Sequence, residues 1–337
     1  MSFTTLADFD GALGALSTPD AGAITLARAR QEQLTKPPGS LARLEEIAIF
    51  FAGWQGVEKP VIDAGQALIF AGNHGVTVHG VSAFPAAVTA QMVANFATGG
   101  AAINALAAAA GLDLRVIALD LDRPTADFTQ EPAMSEAECL AALSTGAAAV
   151  DPGQHLIIVG EMGIGNSTAA AALAARSFGG LVSHWVGPGT GVDHDGIVRK
   201  TRVIADALAF HEAAPRSAFE TLRRVGGREI AAIAGAVLRA RQLRIPVILD
   251  GFISCAAIAP LAAAAPDIVD HCIAGHCSAE PGHGLLLDRL GMEPLLRLGM
   301  RLGEGSGAAV AANIVRSALA AHAHMATFAQ AGVSTGT

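Results

Sequence analysis

Six short apolar runs, separated by stretches of helical character, constrain the fold of this chain more than any other feature. The runs span residues 66–72, 114–120, 155–160, 181–187, 245–251 and 268–275. Continuous apolar runs of this length are typical of strands buried on both faces of a parallel sheet. The helical patterns span residues 85–109, 135–149, 167–177, 194–211, 228–243 and 253–264. This alternation predicts an α/β fold with a doubly wound, mainly parallel, Rossmann-like sheet of about six strands.

The two ends of the chain differ from its middle. Residues 1–59 and 286–337 carry helical patterns without a convincing strand. We therefore expect a large α/β domain over residues 60–285 and a smaller helical domain built from both ends. A chain of 337 residues is long enough to bury a core in each of them.

Composition excludes several classes of protein. Hydrophobic residues make up 52% of the chain, but polar residues and glycines interrupt the alanine-rich stretches, which favours buried helices over membrane spans. The net charge of −8 and the lack of basic stripes argue against a nucleic-acid partner. Asp8 and Asp10 stand where a secretory signal would be basic, so we expect a cytoplasmic protein.

The four cysteines do not indicate a disulfide framework, since they are few and form no Cys-x-x-Cys pair. Cys272, His276 and Cys277 leave a zinc site open as an alternative. However, adjacent His and Cys residues suit tetrahedral geometry poorly, and no second pair of ligands follows them. The sequence favours a protein without a metal or cofactor.

Most of the apolar runs end in glycine together with a polar or acidic residue, which is where open α/β sheets bind ligands. In "GEMGIGNST" (160–168), Gly163 and Gly165 can expose backbone N–H groups to a phosphate, and Asn166, Ser167 or Thr168 can cap the following helix. The alternative is a tight turn whose glycines only allow close helix packing. The segment is neither Gly-x-Gly-x-x-Gly nor a P-loop with its lysine, so dinucleotide and ATP sites are not supported.

Glu304 is the most unusual candidate for catalysis, because it stands between Gly303 and Gly305 just before an alanine-rich helix. The flanking glycines allow a ligand to approach the backbone closely, and the pKa of the carboxyl group is sensitive to burial and to the helix dipole. A general base is one interpretation. The other is a flexible link whose glutamate merely caps the helix.

Three further residues have both a functional and a structural interpretation. His74 is either an acid or base, or a hydrogen-bonded structural residue. Asp250 meets either a ligand or a helix N-terminus. Lys200 either binds phosphate or belongs to a solvated helix face. No Gly-x-Ser-x-Gly motif is present and no cysteine has a nucleophile's context, which argues against covalent catalysis.

Seven segments together resemble the nicotinate-nucleotide:dimethylbenzimidazole phosphoribosyltransferase family, which acts in lower-ligand synthesis for cobamides. They include "KPPGSL" and "RLGEGSGAA" and cover nearly the whole chain in the family's order, at residues 34–48, 71–96, 160–173, 225–236, 246–258, 274–283 and 292–315. The resemblance implies transfer of the phosphoribosyl group of nicotinate mononucleotide to 5,6-dimethylbenzimidazole, with inversion at the anomeric carbon. The products are α-ribazole 5′-phosphate and nicotinate, and neither metal nor covalent nucleophile is needed.

The same resemblance implies the roles of individual residues. Glu304 matches the general base, with Leu302 and Gly303 beside the substrate. The nucleotide pocket is expected at Glu161, Met162, Gly163 and Gly165, with Ser278 and its neighbouring backbone near the phosphate and Lys200 as an additional contact. Residues 81–92 are expected to wall the acceptor site through Phe84, Pro85 and Met92. Their apolar character leaves another benzimidazole or a purine open as the acceptor.

The resemblance also implies a homodimer with its active site near the subunit boundary. A non-catalytic relative that binds only the base or α-ribazole is the alternative, and the presence of Glu304 argues against it. A nucleotide-dependent kinase is not supported, because the chain lacks a phosphate-loop lysine and a pattern of metal-binding carboxylates.

Overall fold

The computed structural model describes residues 1–189 and 191–334. Its sheet contains β1 (Gly65–Ala71), β2 (Asp113–Ala118), β3 (Leu156–Met162), β4 (Val247–Leu249), β5 (Cys272–His276) and β6 (Pro294–Leu296). All neighbouring strands are parallel, in the order β2-β1-β3-β4-β5-β6. The predicted parallel α/β sheet is confirmed. Its winding reverses between β1 and β3, and ligands bind at such switch points in open α/β sheets.

Fourteen helices surround the sheet in the described part of the chain. They are α1 (Leu6–Leu13), α2 (Ala21–Gln33), α3 (Arg43–Gln55), α4 (Ala87–Ala97), α5 (Ala102–Ala109), α6 (Glu136–Ala149), α7 (Asn166–Phe178), α8 (His194–Phe210), α9 (Ala218–Val225), α10 (Arg228–Leu243), α11 (Phe252–Ala264), α12 (Pro281–Leu290), α13 (Ser306–His324) and α14 (Phe328–Ala331).

Alternating residues of the strands build two cores, one on each face of the sheet. In β1, Leu68 and Phe70 pack with α6, α7, α10 and α11, whereas Ala67 and Ile69 pack with α3, α5 and α13. The sheet is therefore doubly wound, because side chains along a strand point alternately to opposite faces. Many of the covering side chains are alanines, which are good helix formers and are short enough to let a helix lie close to the strands.

The predicted strand at residues 181–187 is wrong. The segment forms one 3₁₀ turn at Val182–His184, and the buried Trp185 donates its indole N–H to the carbonyl oxygen of Gly179. The run is apolar because it packs into the core as a turn, and the length of a short apolar run does not distinguish these cases.

The sixth strand is β6, in a segment that we expected to lack strands. It has three half-buried residues and pairs only with β5. In addition, α13 packs against the sheet, so the C-terminal segment contributes directly to the α/β core. The division into a large domain and a smaller helical one stays a prediction.

The predicted helix at residues 85–109 is two helices, α4 and α5, which a turn through the left-handed Gly99 separates. By length and composition alone, Ala87–Ala109 is long and apolar enough to cross a membrane, and little of it is buried. The break at Gly99 and Gly100 means that the segment does not form one continuous helix.

Candidate active site

One cavity lies at the carboxyl ends of β3, β4 and β5. It brings together segments that are far apart in the sequence, because the ends of parallel strands meet at one edge of the sheet. Its walls come from the loop after β1, the turn between β3 and α7, and the segments that follow β4, β5 and β6. Eight of the predicted site residues line it, namely Glu161, Met162, Gly163, Gly165, Lys200, Ser278, Leu302 and Gly303.

Glu304 lies behind this lining, next to Gly303. Its backbone has a φ of 61°, a left-handed conformation that is costly for a residue with a side chain and that is found mostly where function requires it. The residue is only 5% exposed, and its N–H donates to the carbonyl oxygen of Glu161. Its buried Oε2 has no hydrogen-bond partner among the described residues.

The structural interpretation of Glu304, a link whose glutamate merely caps the helix, is wrong. The helix α13 has Gly305 as its N-cap, without a side-chain hydrogen bond. Asp250 takes that place instead, since its carboxylate accepts the N–H groups of Gly305 at 3.2 Å and Ala308 at 2.9 Å. Asp250 also lines the cavity, so it meets both a helix N-terminus and the ligand space.

Gly160 makes the position of Glu304 possible. It lies in β3 opposite Ile69 of β1, and a Cβ atom at residue 160 would lie 2.2 Å from the nitrogen of Gly305. Only a residue without a side chain allows the start of α13 to cross the strand at this distance. Sequence reasoning missed this role, because a single glycine in an apolar run carries no signal about its distant partner.

Burial raises the pKa values of the three carboxyl groups at the centre of the site. The pKa of Glu161 rises to about 8 through desolvation and the neighbouring Asp250 and Glu229. Desolvation raises the pKa of Asp250 to about 7 despite its hydrogen bonds from the start of α13, and it also raises the pKa of Glu304. Near neutral pH the cluster therefore binds protons that exposed carboxylates would have lost.

The turn between β3 and α7 has the geometry of an anion site. Gly165 is the N-cap of α7 with a φ of 95°, and no side chain caps the helix. The prediction that Asn166, Ser167 or Thr168 caps it is wrong, because Asn166 donates its amide to Glu161. The uncapped N-terminus leaves backbone N–H groups and the positive end of the helix dipole facing the cavity.

Lys200 and Ser278 lie at this end of the cavity. Lys200 is only 1% exposed, so the solvated-face interpretation is wrong. Its Nζ donates to Ser167 Oγ at 3.0 Å and to the Gly187 carbonyl at 2.9 Å, and burial lowers its pKa to about 8. The N–H of Ser278 is donated to His283 Nδ1, and its hydroxyl oxygen accepts the N–H of Glu280 at 3.3 Å, which leaves the O–H donor for a ligand.

The expected acceptor wall is only partly in contact with the cavity. Val81 and Ser82 line it, whereas Phe84, Pro85 and Met92 do not, and Phe84 is 48% exposed. Met92 and Met162 both pack against the buried cluster that contains Ile69 and Ile103. These two isoleucines lie against Gly305, the residue after Glu304.

His74 does not line the cavity but lies behind the turn between β3 and α7, where a Cβ at Gly165 would be 3.2 Å from its own Cβ. It is fully buried, and its Nε2 lies 2.6 Å from the carboxylate of the equally buried Glu229. Within residues 1–189 and 191–334, no group of three His, Cys, Asp or Glu side chains is arranged to hold a metal ion. Arg301 and Glu280 line the cavity although sequence reasoning did not select them. Arg301 is adjacent in the sequence to the predicted Leu302, and Glu280 is two residues from the predicted Ser278.

The comparisons with known proteins agree over nearly the whole chain. The DBI_PRT phosphoribosyltransferase family model matches residues 16–333. This chain is 72% identical to the nicotinate-nucleotide–dimethylbenzimidazole phosphoribosyltransferase of Novosphingobium aromaticivorans and 61% identical to that of Ruegeria pomeroyi. In both comparisons the match covers 99% of each chain. The crystal structure of CobT from Thermus thermophilus has a TM-score of 0.87 and 42% identity, and the match covers 94% of this chain and 100% of that one.

This chain belongs to the DBI_PRT phosphoribosyltransferase family. The predicted family, the α/β fold and the assignment as an enzyme are thereby confirmed. The cavity has two chemically different ends: one carries cationic and N–H groups, and the other carries carboxyl groups and apolar side chains. The individual site residues stay predictions.

Replacing Gly163 with alanine is expected to weaken nucleotide binding selectively. The new Cβ would lie 2.6 Å from the carbonyl oxygen of Gly72 and 3.1 Å from Glu229 Oε1, so the turn before α7 must shift. We expect KM for nicotinate mononucleotide to rise about tenfold, the factor that corresponds to the free-energy cost of modest overpacking. KM for the base should change little. Steady-state kinetics check this, and an equal rise for both substrates would indicate general misfolding instead.

Proposed function

We propose that this enzyme transfers the phosphoribosyl group of nicotinate mononucleotide to a ring nitrogen of 5,6-dimethylbenzimidazole or a related base. The anomeric carbon is inverted, and the products are α-ribazole 5′-phosphate and nicotinate for the nucleotide loop of a cobamide. The observation that carries this proposal is Glu304, a buried carboxyl group on a left-handed backbone beside a cavity with an anion site.

The reaction forms a bond between the acceptor nitrogen and the anomeric carbon while the bond to the pyridinium nitrogen breaks. The electron pair of the broken bond stays on the pyridine nitrogen, which becomes neutral. The attacking base gains positive charge and loses its N–H proton to Glu304. A carboxylate without another hydrogen-bond partner is suited to accept that proton, because burial has already raised its pKa toward the working pH.

The nucleotide is held mainly through its 5′-phosphate. The N-terminus of α7 supplies N–H groups through the turn at Gly163 and Gly165, Lys200 supplies a buried positive charge, and Ser278 supplies a hydroxyl. The flat base lies against the backbone of Gly303, between Leu302, Met162 and the region of Met92. This arrangement supplies positioning and one base, which suffice for a displacement with a good leaving group.

Turnover is expected to be independent of added metal. The proposed steps use only side chains and backbone N–H groups of this chain, and its described residues contain no cluster suited to a metal. Dialysis against a chelator should leave kcat and kcat/KM unchanged. A loss of activity that zinc or magnesium restores would contradict the expectation.

A non-catalytic protein that binds the base or α-ribazole is the alternative to this function. The retained Glu304 and the full-length match to enzymes favour transfer. Mixing nicotinate mononucleotide with dimethylbenzimidazole and measuring released nicotinate separates the two functions, because a binding protein releases none.

We also propose a homodimer in the cytoplasm with its active sites near the subunit boundary. The exposed apolar surface of α4 and α5, next to the acceptor wall, supports the dimer. Analytical ultracentrifugation tests the oligomeric state, and cell fractionation tests the location.

A further inference from the structure

Among the described residues, one arginine and one lysine line the cavity, Arg301 and Lys200. The Nη1 of Arg301 donates to the carbonyl oxygen of Gly189 at 3.1 Å. No other hydrogen bond joins its guanidinium to a described residue. Since a guanidinium carries several N–H donors in a planar fork, most of them are available to a ligand.

The two cations both lie near Gly189 but at different depths. Lys200 is buried and bonded to Ser167 and Gly187, with its Nζ 3.5 Å from where a Cβ of residue 189 would lie. Arg301 bonds to the Gly189 carbonyl and is exposed. A phosphate bound in the depth of the site therefore contacts Lys200 first, and an anionic group nearer the mouth meets Arg301.

The carboxyl groups of the site leave few places for a second anionic group of a substrate. Glu161 and Asp250 line the cavity and Glu304 lies directly behind it, so a carboxylate next to them would meet acidic groups and no cation. The remaining carboxyl group of the lining, Glu280, lies near Lys200 and Arg301, whose positive charges oppose the rise that burial causes in its pKa. The guanidinium of Arg301 is directed to Gly189 although its backbone is three residues from Glu304. Inversion requires the leaving group to depart from the ribose face opposite the acceptor, and hence away from Glu304.

We propose that Arg301 binds the carboxylate of the nicotinate leaving group and thereby selects nucleotides of pyridine carboxylic acids over those of the corresponding amides. This inference rests on the proposed function and deepens it. An arginine suits the role because its planar fork matches both oxygens of a carboxylate.

The charge change in the reaction makes this contact stronger in the transition state than in the ground state. In the bound nucleotide, the positive pyridinium ring offsets the carboxylate, so the nicotinate group is neutral overall. As the bond to the ribose breaks, the electron pair neutralises the ring and the group becomes an anion. A neighbouring guanidinium therefore stabilises departure. The nicotinamide group changes from a cation to a neutral molecule and offers no carboxylate to Arg301.

The test compares nicotinate mononucleotide with nicotinamide mononucleotide, using the full-length enzyme and 5,6-dimethylbenzimidazole. Arg301→Gln is expected to lower kcat/KM for the acid about 10- to 100-fold, the range of a hydrogen bond between charged groups. For the amide it should change less than about threefold. Arg301→Lys should restore part of the loss, since it keeps the charge without the fork. Arg297→Gln is the matched control, an exposed arginine outside the cavity lining, and should change neither value.

Equal losses with both nucleotides would overturn the inference, because they would assign Arg301 to the phosphate or the ribose that the two share. Unchanged kinetics would overturn it as well. Calorimetric titration with nicotinate and with nicotinamide separates it from the proposed function. Selective loss of nicotinate binding in Arg301→Gln supports the role of Arg301 even for an enzyme that transfers no phosphoribosyl group.

Discussion

Replacing Glu304 with glutamine is expected to lower turnover by about 10²- to 10⁴-fold, the usual contribution of a general base. Nitrogen attack on the ribose builds positive charge on the base, which a nearby carboxylate stabilises before it accepts the proton. Glutamine keeps the shape and hydrogen-bonding capacity of the side chain but removes the charge. Steady-state kinetics should show the loss in kcat, with both substrates still bound.

The pH profile provides a second measurement on the same variant. A working base must be ionised, so wild-type activity should fall as the pH drops through the pKa of Glu304. Burial raises this pKa, which places the acid limb above the ordinary range of a glutamate, about 4.3. The limb should disappear in Glu304→Gln. If the variant instead kept near-wild-type turnover with the same pH dependence, proton removal would belong to another group, and Glu161 would be the next residue to change.

The fold should tolerate this substitution. A carboxyl group whose pKa is raised in the folded state costs stability that accumulates as the pH rises from its unfolded-state pKa to its folded-state pKa, and the full cost is present above the latter. A neutral amide removes that cost. The melting temperature of Glu304→Gln at pH 8 should therefore equal or exceed the wild-type value, and a large decrease would mean that lost activity reflects unfolding.

Replacing Gly160 with alanine is expected to lower kcat about 100-fold, although residue 160 itself touches no substrate. Its Cβ would lie 2.2 Å from the nitrogen of Gly305 and 2.8 Å from the carbonyl carbon of Glu304. Because these are backbone atoms, the start of α13 must move away from β3 and carry the carboxyl group with it. Displacement of a catalytic group by about 1 Å can cost about this factor.

Gly146→Ala is the matched control for Gly160→Ala. A Cβ at residue 146 would lie 1.8 Å from the carbonyl oxygen of Ala232, where α6 packs on α10, and no residue of these two helices lines the cavity. Both variants should lose stability by about 1 to 3 kcal/mol from overpacking, measurable by denaturant unfolding. Only Gly160→Ala should lose turnover per folded molecule. Equal turnover in the two variants would show that the approach of β3 to Gly305 does not position the base.

Local patterns in the sequence were sufficient for the central architecture. Five of the six apolar runs form strands of the sheet, because buried parallel strands need continuous apolar residues whatever their neighbours are. The run at residues 181–187 was misassigned and β6 was missed for related reasons. The former packs apolar side chains without pairing, and the latter is an edge strand of three half-buried residues with too little length for a periodic signal.

The candidate site was predictable to the extent that its residues follow strands. Glu161 lies near the end of β3, and Gly163, Asp250 and Ser278 come one or two residues after β3, β4 and β5, so the topology of a parallel sheet brings them to one edge. Arg301 and Glu280 carried no such signal. Their role in the cavity depends on which way each side chain points, and this is decided by packing rather than by position in the sequence.

The sequence by itself determined the strand and helix alternation, the family, and the identity of a carboxylate between two glycines. Tertiary structure decided what that carboxylate experiences. The left-handed φ of Glu304, the close approach of Gly160 and the burial that raises its pKa all depend on β3 and α13 meeting across more than 140 positions of the chain. Desolvation and electrostatic interaction depend on distances in space, which no local pattern of residues specifies.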